Sequence, residues 1–188
     1  MEKSERDFRI NYLVISDLHG SESSAAAVSE LMNLHACSGI LSLGDVLYHG
    51  PRNDLPSDYA PKEVIALLNP LAEKILGVRG NCDAEVDQMV LDFDVHSDYQ
   101  KLTLGLHLVY LTHGHLKPER VRLKEGDIHL SGHTHIPECE QRDGIIYLNP
   151  GSMTLPKDNH PRTYGVLEED RFTVRKLDDH SVYMEIRF

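Results

Sequence analysis

Positive charge is scarce in this chain. Its 188 residues carry 19 Lys and Arg against 30 Asp and Glu, a formal net charge of −11. A nucleic-acid polymer or an anionic membrane held over an extended surface needs a lysine and arginine footprint, so neither is expected as the main partner. Long apolar runs are missing too: none approaches the roughly 18 residues of a membrane span. The start, MEKSERDFRINYLVISD, has neither the apolar stretch of a secretory leader nor a small-residue cleavage site. A cytoplasmic location is therefore expected. Cysteine is sparse, and Cys37, Cys82 and Cys139 form neither an even set nor a C-x-x-C pair. That argues against a disulfide framework or a thiolate-rich zinc knuckle and agrees with a reducing compartment. Repeats, low-complexity segments and long linkers are absent as well.

What is present is an ordinary globular composition, 40% apolar and 26% charged, which excludes a disordered chain. The length suits one core and one domain over 1–188. After a polar leader, NYLVIS reads as a strand ending at Asp17. SESSAAAVSELMNLHACSG reads as a helix with Ser21 as N-cap, Ala27, Leu31 and Leu34 on one face, and Gly39 just past its end. GILSLG is a second strand, ending at Asp45, so the three elements form a right-handed parallel unit. Pro61 opens a second helix that Pro70 stops, and KILGV supplies a third strand. From Tyr99 onward short strands follow one another, with Asp143-Gly144 as the strongest hairpin turn. So many strands need a second sheet, or one large mixed sheet, to bury their faces.

The apolar runs share one feature at their ends. YLVIS leads to Asp17 and His19, GILSLG to Asp45, KILGVRG to Asn81, LVYLT to His113, and DIHLSG to His133 and His135. Five strands thus each deliver a metal-capable side chain at the carboxyl edge, where ligands bind in α/β sheets. Singly, each of these residues is as readily a turn residue. Together they offer two carboxylates, four imidazoles and an amide without an obligatory thiolate, a donor set for catalytic manganese, iron, magnesium or zinc. Seven donors exceed what one tetrahedral ion takes and suit two ions sharing a carboxylate.

The blocks DLH at 17–19, GD at 44–45, GNCD at 80–83, HGH at 113–115 and GHTH at 132–135 occur in the order D-x-H, G-D, G-N-(H/C)-(D/E), H, G-H-x-H. In this the chain resembles the calcineurin-like metallophosphoesterases. Longer stretches, among them VRGNCDAEVDQM and NPGSMTLPK, look like the bacterial YfcE phosphodiesterases. The resemblance implies an αββα sandwich of two mostly mixed sheets flanked by helices. It also implies a dinuclear centre, with Asp17, His19, Asp45 and His135 on one ion and Asp45, Asn81, His113 and His133 on the other. Manganese is the implied metal, and hydrolysis of small phosphodiesters by hydroxide generated at the ions is the implied reaction. A phosphomonoesterase, or a scaffold like the retromer subunit of this fold, is the alternative. A homo-oligomer is compatible with the resemblance.

Around these ligands the resemblance places Asp83 as a hydrogen-bonded support, the backbone at Asn149 to Ser152 as lining, and His115 either near the substrate or in packing. His49 and Arg52 either meet the ester oxygens or belong to a turn built by Gly50 and Pro51. Cys82 stands where much of the superfamily has a histidine. It is either a weak donor toward the leaving group or a packing residue. Cys37 and Cys139 read as small core or edge residues, and the remaining histidines as structural or exposed.

Overall fold

The structure is a computed structural model that describes residues 10–117 and 119–188. The polar leader at 1–9 lies outside the described residues. Strands Tyr12–Ile15 (β1), Gly39–Ser42 (β2) and Ile75–Gly77 (β3) are short and mostly buried, as expected where a parallel sheet is covered on both faces. Between β1 and β2 runs the helix Glu22–Leu34 (α1), whose first turn is capped by Ser21 Oγ accepting from the Ser24 N–H. Its far end differs from expectation. Ala36, not a glycine, takes the left-handed conformation, and the Cys37 N–H reaches back to the Met32 carbonyl. Gly39 instead opens β2. The helix Pro61–Leu68 (α2) is followed at Pro70 by a 3-10 turn over Asn69–Lys74, because proline has no N–H for the α-helical ladder.

The remaining strands are Tyr99–Leu104 (β4), His107–Thr112 (β5), Ile128–Leu130 (β6), Glu138–Arg142 (β7), Ile145–Asn149 (β8), Thr163–Glu168 (β9), Arg171–Lys176 (β10) and Val182–Arg187 (β11). They resolve the open choice in favour of two sheets. One has the order β11-β10-β9-β1-β2-β3, the other β4-β5-β6-β8-β7. Each has a parallel part: β1, β2 and β3 at one end of the first, β5, β6 and β8 in the middle of the second. Antiparallel strands extend both. The β7–β8 hairpin turns at Asp143 and Gly144, both with positive φ, as a tight two-residue turn requires.

Strand alternation builds two cores. Val14 and Leu41 point toward the second sheet and pack with Leu111, Leu130, Leu148 and Phe172. Leu13, Ile15 and Ile40 point the other way, onto Val28 and Leu31 of α1 and Val64 and Leu68 of α2. Each fully buried aliphatic side chain contributes about 1.5–3 kcal/mol. His113 after β5 lies 3.4 Å from Asp45 after β2, and the His133 N–H after β6 bonds Asp17 after β1, so the carboxyl ends of the parallel strands of both sheets open onto the same side. No helix among the described residues is long and apolar enough to cross a membrane.

Candidate metal centre

The loops that leave β2 and β3 run very close together. A Cβ at Gly44 would lie 2.4 Å from the Gly80 nitrogen, and one at Gly80 would lie 2.1 Å from Asp45 Oδ1, so only glycine fits at either position. Asp83 ties the two loops. Its carboxylate accepts N–H bonds from Asp45 (2.8 Å), Val46 (2.9 Å) and Gly80 (2.7 Å). Burial, with the charge of Asp45, pushes its pKa up to about 6 against the pull of those N–H groups. Asp83 therefore acts on the backbone that carries Asp45 and Asn81.

The structure brings Asp17, His19, Asp45, Asn81, His113 and His135 together at the strand ends. Asp17, His19, Asp45, His133 and His135 all have positive φ, between 49° and 68°. Such backbone costs about 1–3 kcal/mol per residue and persists only where its surroundings enforce it. Three imidazoles are fixed in the same way: Nδ1 of His19 meets the Tyr48 carbonyl at 2.8 Å, that of His113 the Leu43 carbonyl at 2.6 Å, and that of His135 the Leu155 carbonyl at 2.5 Å. A carbonyl only accepts, so each Nδ1 carries a hydrogen and each Nε2 presents a lone pair when the ring is neutral.

Those lone pairs face other acceptors. His19 Nε2 lies 3.3 Å from His135 Nε2, and His135 Nε2 lies 3.1 Å from Asp17 Oδ1. His113 Nε2 is 3.1 Å from Asn81 Oδ1 and 3.4 Å from Asp45 Oδ2, and Asp45 Oδ2 is 3.7 Å from His19 Nε2. Asp17 Oδ2 is satisfied by Ser16 Oγ and the His133 N–H, whereas Asp17 Oδ1 is buried with no hydrogen-bond partner. An orphaned carboxylate oxygen among inward lone pairs fits a cation. Asp17 Oδ1, His19 Nε2 and His135 Nε2 form one set of mutually close atoms, and atoms of Asp17, Asp45 and His113 form another. Asp45 Oδ2 faces imidazoles of both. The His133 ring lies 5.1 Å from that of His113, beside the second set.

Protons answer the same field when no cation does. Burial alone would raise the Asp17 pKa, yet His135, His19 and His113 hold its carboxyl well below the usual range. Burial opposes charge on His113 as well, but its bond to Asp45 and the charges of Asp17 and Asp45 push its pKa up to about 9. His133 is held below its ordinary value by burial and by the His113 charge.

A cleft of about 970 Å³ lies over this centre, lined by Asp45, Asn81, His133 and His135 and, farther out, by Arg52. Cys82 lines it too. The Cys82 Sγ lies within 4.8 Å of ligand atoms of His19 and Asp45, accepts from Asn81 Nδ2 at 3.1 Å, and so turns the Asn81 oxygen toward His113. Burial, then the nearby Asp45, pushes the thiol up to about 12, leaving it protonated. His49 is not among the lining residues. Its ring packs edge-on against Tyr48 and Tyr59. His115 also stands behind the lining, 5.3 Å from the His113 ring, with a buried Nδ1 lacking a partner. Asn149 and Ser152 are buried supports: Asn149 Nδ2 donates to the Gly132 carbonyl, and Ser152 Oγ to that of Asp17. Sequence reasoning missed Ser16, Arg79 and Lys157. Ser16 directly precedes the DLH block, and Arg79 and Lys157 lie within VRGNCDAEVDQM and NPGSMTLPK, which is the signal the sequence offers.

Residues 10–171 match the calcineurin-like phosphoesterase superfamily domain. The chain belongs to that superfamily. It is thus an enzyme of the phosphoester-hydrolysing class, and the family uses divalent metal. The chain is 44% identical over 173 residues to phosphodiesterase YfcE of Escherichia coli (strain K12), spanning 91% of this chain and 94% of that protein. It is 28% identical over 180 residues to the probable metallophosphoesterase YsnB of Bacillus subtilis (strain 168), covering 90% and 91% respectively. The solved structure of the E. coli YfcE phosphoesterase superposes with a TM-score of 0.90 at 43% identity, over 95% of this chain and 99% of that one.

Two outcomes are expected at this centre. Asp83→Asn, which leaves one of the three backbone N–H groups facing another donor, should lower the unfolding free energy by about 2 kcal/mol in urea denaturation and weaken divalent-ion binding. Because the ion-free protein keeps a proton on His113 up to a pH of about 9, an entering ion must displace it. Calorimetry should show proton release at neutral pH, with apparent affinity falling as pH drops and levelling off above about 9.

Proposed function

We propose that this protein is a phosphodiesterase that hydrolyses small phosphodiesters at a dinuclear centre of two divalent ions, manganese in the resting enzyme. The observation that carries this reading is the pair of donor sets, which share Asp17 and each bring an imidazole Nε2 toward Asp45 Oδ2 (His19 at 3.7 Å, His113 at 3.4 Å), with Asp17 Oδ1 buried and unsatisfied. Asp17, His19, Asp45 and His135 would hold one ion; Asp45, Asn81, His113 and His133 the other. Two ions supply a hydroxide at neutral pH and offset charge on the phosphate during in-line displacement. The chain's own part is orientation. The Nδ1 bonds to Tyr48, Leu43 and Leu155 fix the imidazole planes, and the Cys82 N–H, 2.8 Å from Asp45 Oδ1, leaves Oδ2 for the shared position.

Diester rather than monoester is supported by the similarity to YfcE and by Cys82. A neutral thiol is a weaker hydrogen-bond donor than an imidazolium, so Cys82 gives a departing alkoxide less help than a histidine would. Esters with good leaving groups should be favoured and alkyl monoesters slow. The net charge of −11 supports a small-molecule substrate over long nucleic acid. A cytoplasmic, homo-oligomeric enzyme acting off the membrane completes the reading.

Metal-depleted protein reconstituted with manganese, and in parallel with magnesium, zinc, iron or nickel, should hydrolyse aryl phosphodiesters faster than matched monoesters; a clear monoester preference overturns the reading. His133→Ala should lower kcat/KM by at least about a hundredfold with unchanged circular dichroism, and full activity would sink the dinuclear mechanism. Cys82→His should flatten the dependence of rate on leaving-group pKa, and an unchanged slope removes Cys82 from the chemistry.

A further inference from the structure

Arg52, Arg79 and Lys157 all line the cleft and are exposed. They arrive from three separate loops: Arg52 after β2, Arg79 after β3, and Lys157 before β9, where its N–H bonds the His135 carbonyl at 3.3 Å. Arg142, Arg162, Arg171 and Arg187 pair with carboxylates, whereas Arg175, away from the cleft, meets only the His180 carbonyl. Among the described residues no such pair engages Arg52, Arg79 or Lys157. Besides Asp45, the acids lining the cleft are the buried Asp83 and the exposed Glu85.

The scissile group does not call for all of these cations. Two divalent ions would be balanced by the Asp17, Asp45 and Asp83 carboxylates and one hydroxide. Three rim cations against Glu85 and the single negative charge of a diester then leave one positive charge unmatched. A phosphate monoester carries about −1.5 to −2 at neutral pH and accepts several charge-assisted bonds, from arginine in particular. We propose that Arg52, Arg79 and Lys157 form an anion subsite, so that the preferred substrates are phosphodiesters bearing a second, terminal phosphate group. The charge argument rests on the diesterase reading; the convergence of Arg52, Arg79 and Lys157 on one cleft does not.

The test titrates thymidine 3′,5′-diphosphate and thymidine 5′-phosphate into the manganese-loaded protein at low salt. The bisphosphate should bind at least about tenfold more tightly, and the Arg79→Met, Lys157→Met double variant should bring the two within about threefold. Equal affinities in the wild type, or discrimination retained in the double variant, overturn the subsite. The p-nitrophenyl esters of the two 5′-phosphates, one carrying a 3′-phosphate, are then compared as substrates. The subsite predicts higher kcat/KM for the 3′-phosphorylated ester, with the ratio of the two esters falling toward one in the double variant. Turnover of neither ester with binding discrimination intact refutes the diesterase and leaves the subsite standing. Turnover of both without discrimination refutes the subsite and leaves the diesterase.

Discussion

Electron pairs that cannot satisfy one another are forced together at the strand ends, and much of the surrounding structure exists to hold them there. Nε2 of His19, His113 and His135, both free carboxylate oxygens and the Asn81 amide oxygen converge within hydrogen-bond range but without enough hydrogens to share. The left-handed backbone at Asp17, His19, Asp45, His133 and His135 is part of what this convergence requires. Two apolar cores and a two-sheet clamp supply the rigidity against which such strain is held.

Much of this was legible in the sequence, for identifiable reasons. Helical periodicity and the Ser21 cap place α1 correctly, and Asp143-Gly144 marks the β7–β8 turn, because both depend on local chemistry. The donors could be picked out because each follows an apolar run at a strand's carboxyl edge. The left-handed cap at Ala36 was hidden, since alanine carries no signal for positive φ and Gly39 offered a false one. The division of strands between two sheets depends on which faces meet, which no local pattern states. Asp83 reads as a support from its place in the motif, but that its partners are the backbone N–H groups of Asp45, Val46 and Gly80 lies in the three-dimensional geometry. Arg79 and Lys157 were indistinguishable in sequence from solvated cations, and only the convergence of three loops gives them a common opening.

The site divides its labour by depth. Ligand donors sit on strand ends and first turns, locked by the sheets. The cations and Glu85 sit exposed on the loops that line the cleft. Hydrolytic capacity is thereby separated from choice of substrate: the rim can change without disturbing the donors, whereas a change at Gly80 or Asp83 reaches the donors at once.

The three Nδ1 bonds also connect distant parts of the chain. Tyr48 belongs to the loop after β2 and Leu155 to the segment before β9, yet each carbonyl is held by an imidazole whose other nitrogen faces the same centre. An ion gripping those imidazoles would stiffen both segments together, and its loss would loosen both. Occupancy should therefore register as a coordinated change in amide hydrogen exchange on two sides of the cleft, far beyond the donors themselves.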